Sequence, residues 1–303
     1  MQEFLLSVSL LALLSGFAGA TPSGRLALAP PRLVAVQDTA RPAPASTFSY
    51  PTGVAVGADG TVYVVDTDNS EIKKISASGQ VSTLASKGFT YLIGVAVDAS
   101  GTVYVADAGS RSIKKVTPAG EVSLLIERGL DYPAGVAVAP DGTVYVVDAG
   151  REANAGSVRK LTPSGRLMTL AKGFNKPSGV AVAADGSVYV ADTDNNCLKR
   201  ISPAGEVSAL TGASLNRPAG VAVAPDGTVY AADTYNNKVQ KIDATGAATL
   251  LATGFTYPAG VAVDAAGAVY VTDTGHGALK KISPTGQVSS VVEGTEGSVV
   301  SKQ

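Results

Sequence analysis

Six aspartates form the most regular polar feature of this sequence, because each ends an apolar run that begins with Val-Tyr. They are Asp66, Asp107, Asp148, Asp192, Asp233 and Asp273. A ring of carboxylates could hold a cation, since carboxylate oxygens are ligands for Ca²⁺. Alternatively, each side chain could accept hydrogen bonds from the backbone N–H groups of an adjoining loop. Six equivalent copies favour the structural role over a single binding site, so we predict no metal centre.

Basic residues occur in pairs a short distance after each aspartate. Eleven of the twelve positions are basic, namely Lys73 and Lys74, Lys114 and Lys115, Arg159 and Lys160, Lys199 and Arg200, Lys241, Lys280 and Lys281. Because these residues are spread evenly along the chain, we predict that their stems cover apolar surface while their heads lie in water. The formal net charge of −1 gives no basic stripe, so we predict no nucleic-acid partner.

Residues suited to catalysis are scarce. His276 is the only histidine and Cys197 the only cysteine, so no disulfide can form within the chain. General acid–base catalysis most often uses histidine. The sequence shows no Ser-His-Asp pattern, nucleophile elbow or phosphate-binding loop. We therefore predict no catalytic residue and no cofactor.

These polar residues belong to an internal repeat. Its first copy spans residues 51–84, and the same skeleton begins again at Gly94, Gly135, Gly179, Gly220 and Gly260, a spacing of roughly 41 residues. GVAV and VYVV are short β-branched runs, and Asp59-Gly60 between them is a strong hairpin signal. A third strand at 72–75 and a fourth at 81–84 would complete a four-stranded antiparallel meander.

One such meander cannot bury both of its faces alone, so neighbouring copies must stack. Helical repeats of similar period are disfavoured because Gly and Pro recur too often for helices. The chain contains no Trp, which argues against the WD40 type of propeller. A closed ring of six sheets buries every face except the two ends and the rim. The sequence thus predicts an all-β, six-bladed β-propeller of four-stranded antiparallel blades.

The motif P-x-G-V-A-V followed by G-x-V-Y-V-x-D resembles the NHL repeat and covers about residues 50 to 290, with Leu92 in place of Pro in the second copy. The regular copies are most similar to the extracellular sensor propellers of mycobacterial receptor-type serine/threonine kinases. At the level of the fold, NHL propellers also resemble gluconolactonase-like enzymes, virginiamycin B lyase and the peptidylglycine lyase domain. The resembling lactonases hold Ca²⁺ in the central channel with carboxylates and Asn, whereas the innermost strands here read GVAV. Fold alone does not choose among these functions.

The segments outside the repeats suggest export. Residues 1–20 contain an apolar stretch followed by Ala18-Gly19-Ala20, which is typical of a signal peptide and its cleavage site. Residues 21–49 form a Pro- and Ala-rich lead-in, residues 50–292 the propeller, and residues 293–303 a flexible tail. Either 33–36 or 288–292 could close the ring. We expect a secreted or periplasmic monomer with no stable membrane insertion after cleavage.

One end of the propeller is expected to carry the binding residues. The loops from second to third strand, and from fourth strand to the next blade, emerge together there and hold the larger side chains. The candidate partner-binding residues are Tyr50, Tyr91, Tyr132, Arg151, Lys176, Arg217, Tyr235 and Tyr257. Tyr suits a half-wet contact surface, whereas the nearby Phe residues are expected to fill gaps between blades. We predict a non-catalytic module that binds a protein or small ligand; the alternative is a metal-dependent lactonase- or lyase-like enzyme.

Overall fold

The computed structural model describes residues 48–210, 214–243 and 245–294, which form six four-stranded antiparallel sheets. Blades 1 to 3 comprise β1 (Pro51–Val56), β2 (Val62–Asp66), β3 (Glu71–Ile75), β4 (Val81–Ala85), β5 (Leu92–Val97), β6 (Val103–Asp107), β7 (Ser112–Val116), β8 (Val122–Ile126), β9 (Pro133–Val138), β10 (Val144–Asp148), β11 (Gly156–Leu161) and β12 (Leu167–Phe174). Blades 4 to 6 comprise β13 (Val180–Val182), β14 (Val188–Asp192), β15 (Cys197–Ile201), β16 (Val207–Leu210), β17 (Val221–Val223), β18 (Val229–Asp233), β19 (Lys238–Ile242), β20 (Ala248–Ala252), β21 (Pro258–Val263), β22 (Val269–Asp273), β23 (Ala278–Ile282) and β24 (Val288–Val292). The chain is a six-bladed β-propeller, as its repeat predicts.

Three short 3₁₀-helices interrupt the strands of the described residues. They are Thr193–Asn195, Thr234–Asn236 and Thr274–His276, and each connects the second and third strands of its blade. Within the described ranges, no helix is long and apolar enough to cross a membrane.

The core lies between adjacent blades. In the first interface, Tyr63 and Val65 of β2 pack with Val103 and Val105 of β6, and the same arrangement recurs around the ring. Second strands have a neighbouring sheet on each face and are therefore buried along their whole length, as in β2 and β6, except that Tyr189 of β14 is half-buried. Phe174 is fully buried between blades, and Phe48 and Phe255 are also buried, which confirms that these phenylalanines fill gaps.

The ring closes by direct contact between the first and sixth blades. The Thr272 hydroxyl donates to the Thr52 carbonyl at 2.8 Å, and the Thr274 hydroxyl donates to the Pro51 carbonyl at 2.6 Å. Strand β24 pairs with β23 and is the outer strand of the sixth blade. The C-terminal candidate, 288–292, therefore completes this blade. The other candidate, 33–36, lies outside the described residues, as do residues 1–47 and the tail from 295 onward.

A glycine near the start of each first strand allows close approach around the axis. A Cβ atom on Gly135 would lie 2.4 Å from the Ser178 carbonyl oxygen of the next blade. The equivalent glycines are Gly53, Gly94, Gly179, Gly220 and Gly260, and each would meet a carbonyl of the following blade at 2.3 to 2.6 Å. Only Gly fits these positions, because any side chain would force neighbouring blades apart.

Candidate functional site

The two ends of the propeller differ in the length of their connections. We call the end that carries the loops between second and third strands, and between successive blades, the top face. Among the residues that the structure describes, the opposite end carries short turns such as Gly57–Gly60, closed by the hydrogen bond from the Gly60 N–H to the Gly57 carbonyl. The top face is therefore where longer side chains can converge.

The six aspartates hold the top-face loops in place. Asp192 accepts a 2.6 Å hydrogen bond from the Asn175 backbone N–H, which lies 17 residues earlier in the chain. Asp148 accepts equivalent bonds from the N–H groups of Asp131 and Tyr132. Each aspartate thus joins the end of its second strand to the loop that enters the blade. This geometry confirms their structural role.

The basic pairs divide into two classes, which corrects the expectation that their charged heads all lie in water. The Lys199 ammonium lies 2.6 Å from Asp192, and that of Lys280 lies 2.5 Å from Asp273. Both lysines also donate to a carbonyl of the preceding loop. These heads leave water because the buried carboxylates at the strand ends attract them. The first lysine of a pair therefore supports the top-face loops.

The second basic residue of a pair points to the other face of its blade. Lys115 and Lys281 place their ammonium groups 5.2 and 4.9 Å from the ring centroids of Tyr104 and Tyr270. The distances fit cation–π contacts. For these residues, the predicted covering of blade surface by a long stem is confirmed.

Three tyrosines lie on the top-face loops of adjacent blades, and two of them line the mouth of the axial channel. Tyr50 and Tyr91 line a cavity of about 290 Å³ whose floor is formed by the inner strands. Burial raises the pKa of Tyr91, and the neighbouring phenols of Tyr132 and Tyr50 add to the shift. The side chains from blades 1, 2 and 3 thus form one group, which we call the tyrosine cluster.

A second aromatic group lies across blades 5 and 6. The rings of Tyr235 and Tyr257 form an edge-to-face pair with centroids 5.7 Å apart. The Arg217 guanidinium lies 5.2 Å from the Tyr235 ring centroid and pairs with Asp194 at 2.7 Å. Arg217 therefore links the aromatic pair to a carboxylate, and its charge is balanced locally.

Lys176 and Arg151, the other predicted basic residues, meet through the backbone. The Lys176 ammonium donates to the carbonyls of Gly150, at 3.0 Å, and Arg151. The Arg151 side chain lies on the exposed loop of blade 3. We call Arg151, Lys176 and Arg217 the basic sector. The Lys176 ammonium is tied to the blade 3 loop and Arg217 is paired with Asp194, and contact of the sector with a partner stays a prediction.

Several of these residues adopt a strained backbone. Tyr50, Lys176, Arg217 and Tyr257 have φ angles between 46° and 56°, in the left-handed region. The Tyr257 N–H is held in this geometry by the Asn237 side-chain carbonyl at 2.8 Å. Bulky residues rarely adopt such angles, and strain of this kind clusters at functional sites. The sequence contains no signal for it.

The only histidine joins a Thr-His-Asp arrangement that the sequence did not reveal, because its members come from two loops. His276 Nδ1 lies 2.8 Å from Asp273 Oδ2, and His276 Nε2 lies 3.3 Å from the Thr256 hydroxyl. Asp273 also pairs with Lys280 and accepts from the Thr256 N–H at 2.7 Å. The carboxylate is thus engaged as in the other blades, and His276 occupies the position that Asn195 has in blade 4. We interpret the arrangement as a loop support.

The structure provides few donors for a metal ion. Within residues 48–210, 214–243 and 245–294, no three His, Cys, Asp or Glu side chains lie close enough to hold one. The cavity at the top of the channel is lined by Tyr, Thr, Ser, Gly, Ala, Val and Ile.

A sequence model of the NHL repeat matches residues 48–75, 130–155, 174–201, 215–242 and 255–282. This propeller is built from NHL repeats. The matched segments start in the loops that enter blades 1, 3, 4, 5 and 6. Blade 2, in which Leu92 stands at the position of the usual Pro, has the same four strands in the same order. No curated protein matches the chain.

Solved structures of several enzymes and of a nidogen–laminin complex share the NHL propeller's fold. A streptogramin B lyase aligns with a TM-score of 0.64 and 18% identity over 83% of this chain and 85% of its own. A gluconolactonase from Xanthomonas campestris aligns with a TM-score of 0.67 and 21% identity over 77% of this chain and 85% of its own. A chain of a nidogen–laminin complex aligns with a TM-score of 0.61 and 22% identity over 66% of this chain and 78% of its own. At these identities, the likeness concerns the fold alone.

Proposed function

We propose that this NHL propeller is a non-catalytic binding or scaffold module that recognises a protein or small ligand through its top face. One observation carries the proposal. Of the nine large hydrophobic side chains that are exposed among the described residues, five are the top-face tyrosines, Tyr50, Tyr91, Tyr132, Tyr235 and Tyr257. Exposed Tyr is enriched where proteins bind partners, since its ring buries apolar area while its hydroxyl tolerates water.

The remaining exposed hydrophobic residues provide a contrast. Leu124, Val207, Leu250 and Val288 lie singly on the outer strands of four different blades. Scattered surface residues of this kind need no functional explanation. The tyrosines instead lie on the loops of one end, where Tyr50 and Tyr91 line the channel mouth and the backbone of Tyr50 and Tyr257 is strained.

A capture experiment tests the proposal. The immobilised propeller is exposed to the native envelope and culture medium, and retained molecules are compared among the unmodified chain and two variants. We expect Tyr50→Ser/Tyr91→Ser/Tyr132→Ser to lose specific capture, and Leu124→Ser/Val207→Ser/Leu250→Ser, with similar exposure, to retain it. Capture that survives loss of the three tyrosines, in a variant with unchanged folding, would rule out the tyrosine cluster as the binding surface.

The basic residues of the top face are a separate part of the proposal. We propose that Lys176, Arg217 and Arg151 contact an acidic or anionic group of the partner. In Lys176→Ala/Arg217→Ala, we expect an intact fold and weaker capture. The Lys74→Ala/Lys115→Ala variant removes the same charge from blades 1 and 2 and should leave capture unchanged. Equal capture by all forms would discard the basic sector.

The alternative is a metal-dependent lactonase- or lyase-like enzyme with its site at the central channel, a class that includes propellers of this fold. Elemental analysis of the purified chain distinguishes the two functions. A stoichiometric Ca²⁺ or Zn²⁺ ion that is lost on mutation of a channel residue such as Thr52 would favour the enzyme.

We also propose that the chain acts as a monomer outside the cytoplasm, either secreted or periplasmic. Its N-terminal sequence supports export, as does the resemblance to the extracellular sensor propellers of mycobacterial receptor-type kinases. Fractionation of cells that express the full chain, with and without residues 1–20, tests it. Retention of the full-length form in the cytosol would contradict export.

A further inference from the structure

The channel end opposite the top face opens into a cavity of about 990 Å³, which we call the bottom funnel. Its wall includes the last residues of four inner strands, Val56, Val97, Val138 and Val263, all half-buried. The turns between first and second strands form its rim. Small-molecule sites commonly enclose about 300 to 1,000 Å³ and have largely apolar walls. The bottom funnel has the dimensions and the lining of such a site.

Charge is distributed asymmetrically around the bottom funnel. The ionisable side chains that line it are Asp59, Asp98 and Asp264, from the adjacent blades 1, 2 and 6. Pro140 and Pro225 line the side formed by blades 3 and 5. No Lys or Arg is among the described residues that line the cavity. The funnel therefore has an acidic side and an apolar side.

Hydrogen bonds within their own turns favour the ionised forms of Asp98 and Asp59. Burial alone would raise the pKa of Asp98, but hydrogen bonds from Ser100, Thr102 and the Tyr104 hydroxyl lower it below its ordinary value. The backbone N–H and hydroxyl of Thr61 lower the pKa of Asp59.

Among the described residues, only one of the three carboxylates has a basic side chain within 4.0 Å, although the more distant charge of Lys74 also lowers the pKa of Asp59. Lys281 lies 3.9 Å from Asp264. Among the described residues, no basic side chain lies within 4.0 Å of Asp59 or Asp98. A bound cation would thus meet negative charge on the side formed by blades 1 and 2.

We propose that the bottom funnel binds an aliphatic organic cation, whose apolar stem contacts the valine and proline walls and whose ammonium faces Asp59 and Asp98. An anion of the same shape would be repelled by the rim, and a neutral analogue would gain only the burial of its stem. In the described part of the chain, the rim consists of short turns with no long loop to hold a macromolecule. The site lies at the opposite end from the proposed partner surface and is independent of it.

Calorimetric titration at pH 7 tests the proposal with three six-carbon probes: hexylammonium, 1-hexanol and hexanoate. We expect saturable 1:1 binding of hexylammonium, binding of 1-hexanol weaker by about tenfold or more, and no binding of hexanoate. Binding of hexanoate as tight as that of hexylammonium, or the absence of saturable hexylammonium binding, would overturn the proposal.

Matched variants locate the site. Asp59→Asn/Asp98→Asn/Asp264→Asn keeps an oxygen acceptor for each turn but removes three charges, and should weaken hexylammonium binding by about tenfold or more. Asp141→Asn/Asp185→Asn/Asp226→Asn removes the same charge from corresponding turns of blades 3 to 5, whose carboxylates do not line the funnel. This control should bind as the unmodified chain does. An equal loss in both variants would show a non-specific charge effect and refute the assignment.

Two further measurements keep the test independent of folding and of the top face. Asp59→Asn alone alters an exposed side chain, so this variant can replace the triple variant if that protein does not fold. It should also weaken the binding of hexylammonium. Tyr50→Ser/Tyr91→Ser/Tyr132→Ser should bind hexylammonium normally, whether or not it captures a partner. Loss of hexylammonium binding in the tyrosine variant would place the cation at the top face instead.

Discussion

The Lys114 ammonium lies 2.5 Å from the fully buried carboxylate of Asp107. The pair fixes the top-face loop that carries Tyr91, because Asp107 also accepts a 2.9 Å bond from the Tyr91 N–H. In blade 1 the corresponding lysine, Lys73, pairs with Glu71 instead. The same sequence motif therefore forms different ion pairs in adjacent blades: the lysine neutralises the strand-end aspartate in blade 2 and a glutamate in blade 1.

Replacing Lys114 should destabilise the fold by leaving the Asp107 charge buried without its cation. We expect Lys114→Met, which keeps the apolar stem, to lower the free energy of unfolding by about 3 kcal/mol. Lys115→Met is the matched control and should change it by less than about 1 kcal/mol, since that lysine makes only a surface contact with Tyr104. Denaturant unfolding measures both. Equal effects of the two substitutions would contradict a structural role for the Lys114 pair.

A fall in pH should change the contributions of Asp107 and Asp66 to folding stability in opposite directions. Burial alone would raise the pKa of Asp107, but bonds from Lys114 and the Tyr91 N–H lower it below the ordinary 3.8. Its stabilisation is then complete above pH 3.8 and disappears as the pH falls through the lowered pKa. For Asp66, burial outweighs the bonds from Asn69 and Ser49 and raises the pKa above 3.8. Ionised Asp66 is thus disfavoured in the fold, and stability declines as the pH rises from 3.8 to the raised value.

Unfolding of the two asparagine variants over a pH series measures this difference. The loss of stability in Asp107→Asn, relative to the unmodified chain, should shrink as the pH falls below the ordinary carboxyl range. For Asp66→Asn the stability relative to the unmodified chain should improve as the pH rises through that range. Parallel pH profiles for the two variants would be inconsistent with the assigned shifts.

The inner-strand glycines should tolerate no side chain. In Gly135→Ala the new Cβ would lie 2.4 Å from the Ser178 carbonyl oxygen and 3.3 Å from the Val180 backbone N. We expect a loss of more than about 3 kcal/mol, or failure to fold, since neither backbone can move without separating blades 3 and 4. Gly165→Ala is the control: its φ is 86° but its Cβ would meet no atom within 4 Å. It should cost about 1 to 2 kcal/mol from backbone strain alone.

The fold could be predicted from the sequence because its signals are local and repeated. Each copy shows the β-branched runs and turn glycines of a meander, and six copies imply a ring. The positions of the aspartates at the strand ends could be predicted for the same reason. Their donors could not, because the Asn175 N–H that binds Asp192 lies 17 residues earlier, in the loop that enters the blade, and the repeat gives no signal for the conformation of that loop.

The contacts of individual charged side chains could not be predicted either. Lys114 and Lys115 are adjacent in a strand and therefore point to opposite faces. The register, which pairs Lys114 with Val105 and Lys115 with Tyr104, decides which of the two faces each lysine takes. Likewise, the pairing of Arg217 with Asp194 joins loops of two different blades. Such contacts depend on loop conformation, for which the repeat gives no signal.

His276 should be replaceable by the residue that other blades use at its position. In blade 4 the Asn195 side-chain amide donates to Asp192 at 2.9 Å, and in blade 1 that of Asn69 donates to Asp66 at the same distance. We expect His276→Asn to keep the bond to Asp273 and to leave the free energy of unfolding within about 0.5 kcal/mol of the original. His276→Ala removes the donor and should cost about 1 kcal/mol. If His276→Asn were as destabilised as His276→Ala, the loop of blade 6 would require the imidazole itself. The contact between His276 Nε2 and the Thr256 hydroxyl would then explain that requirement.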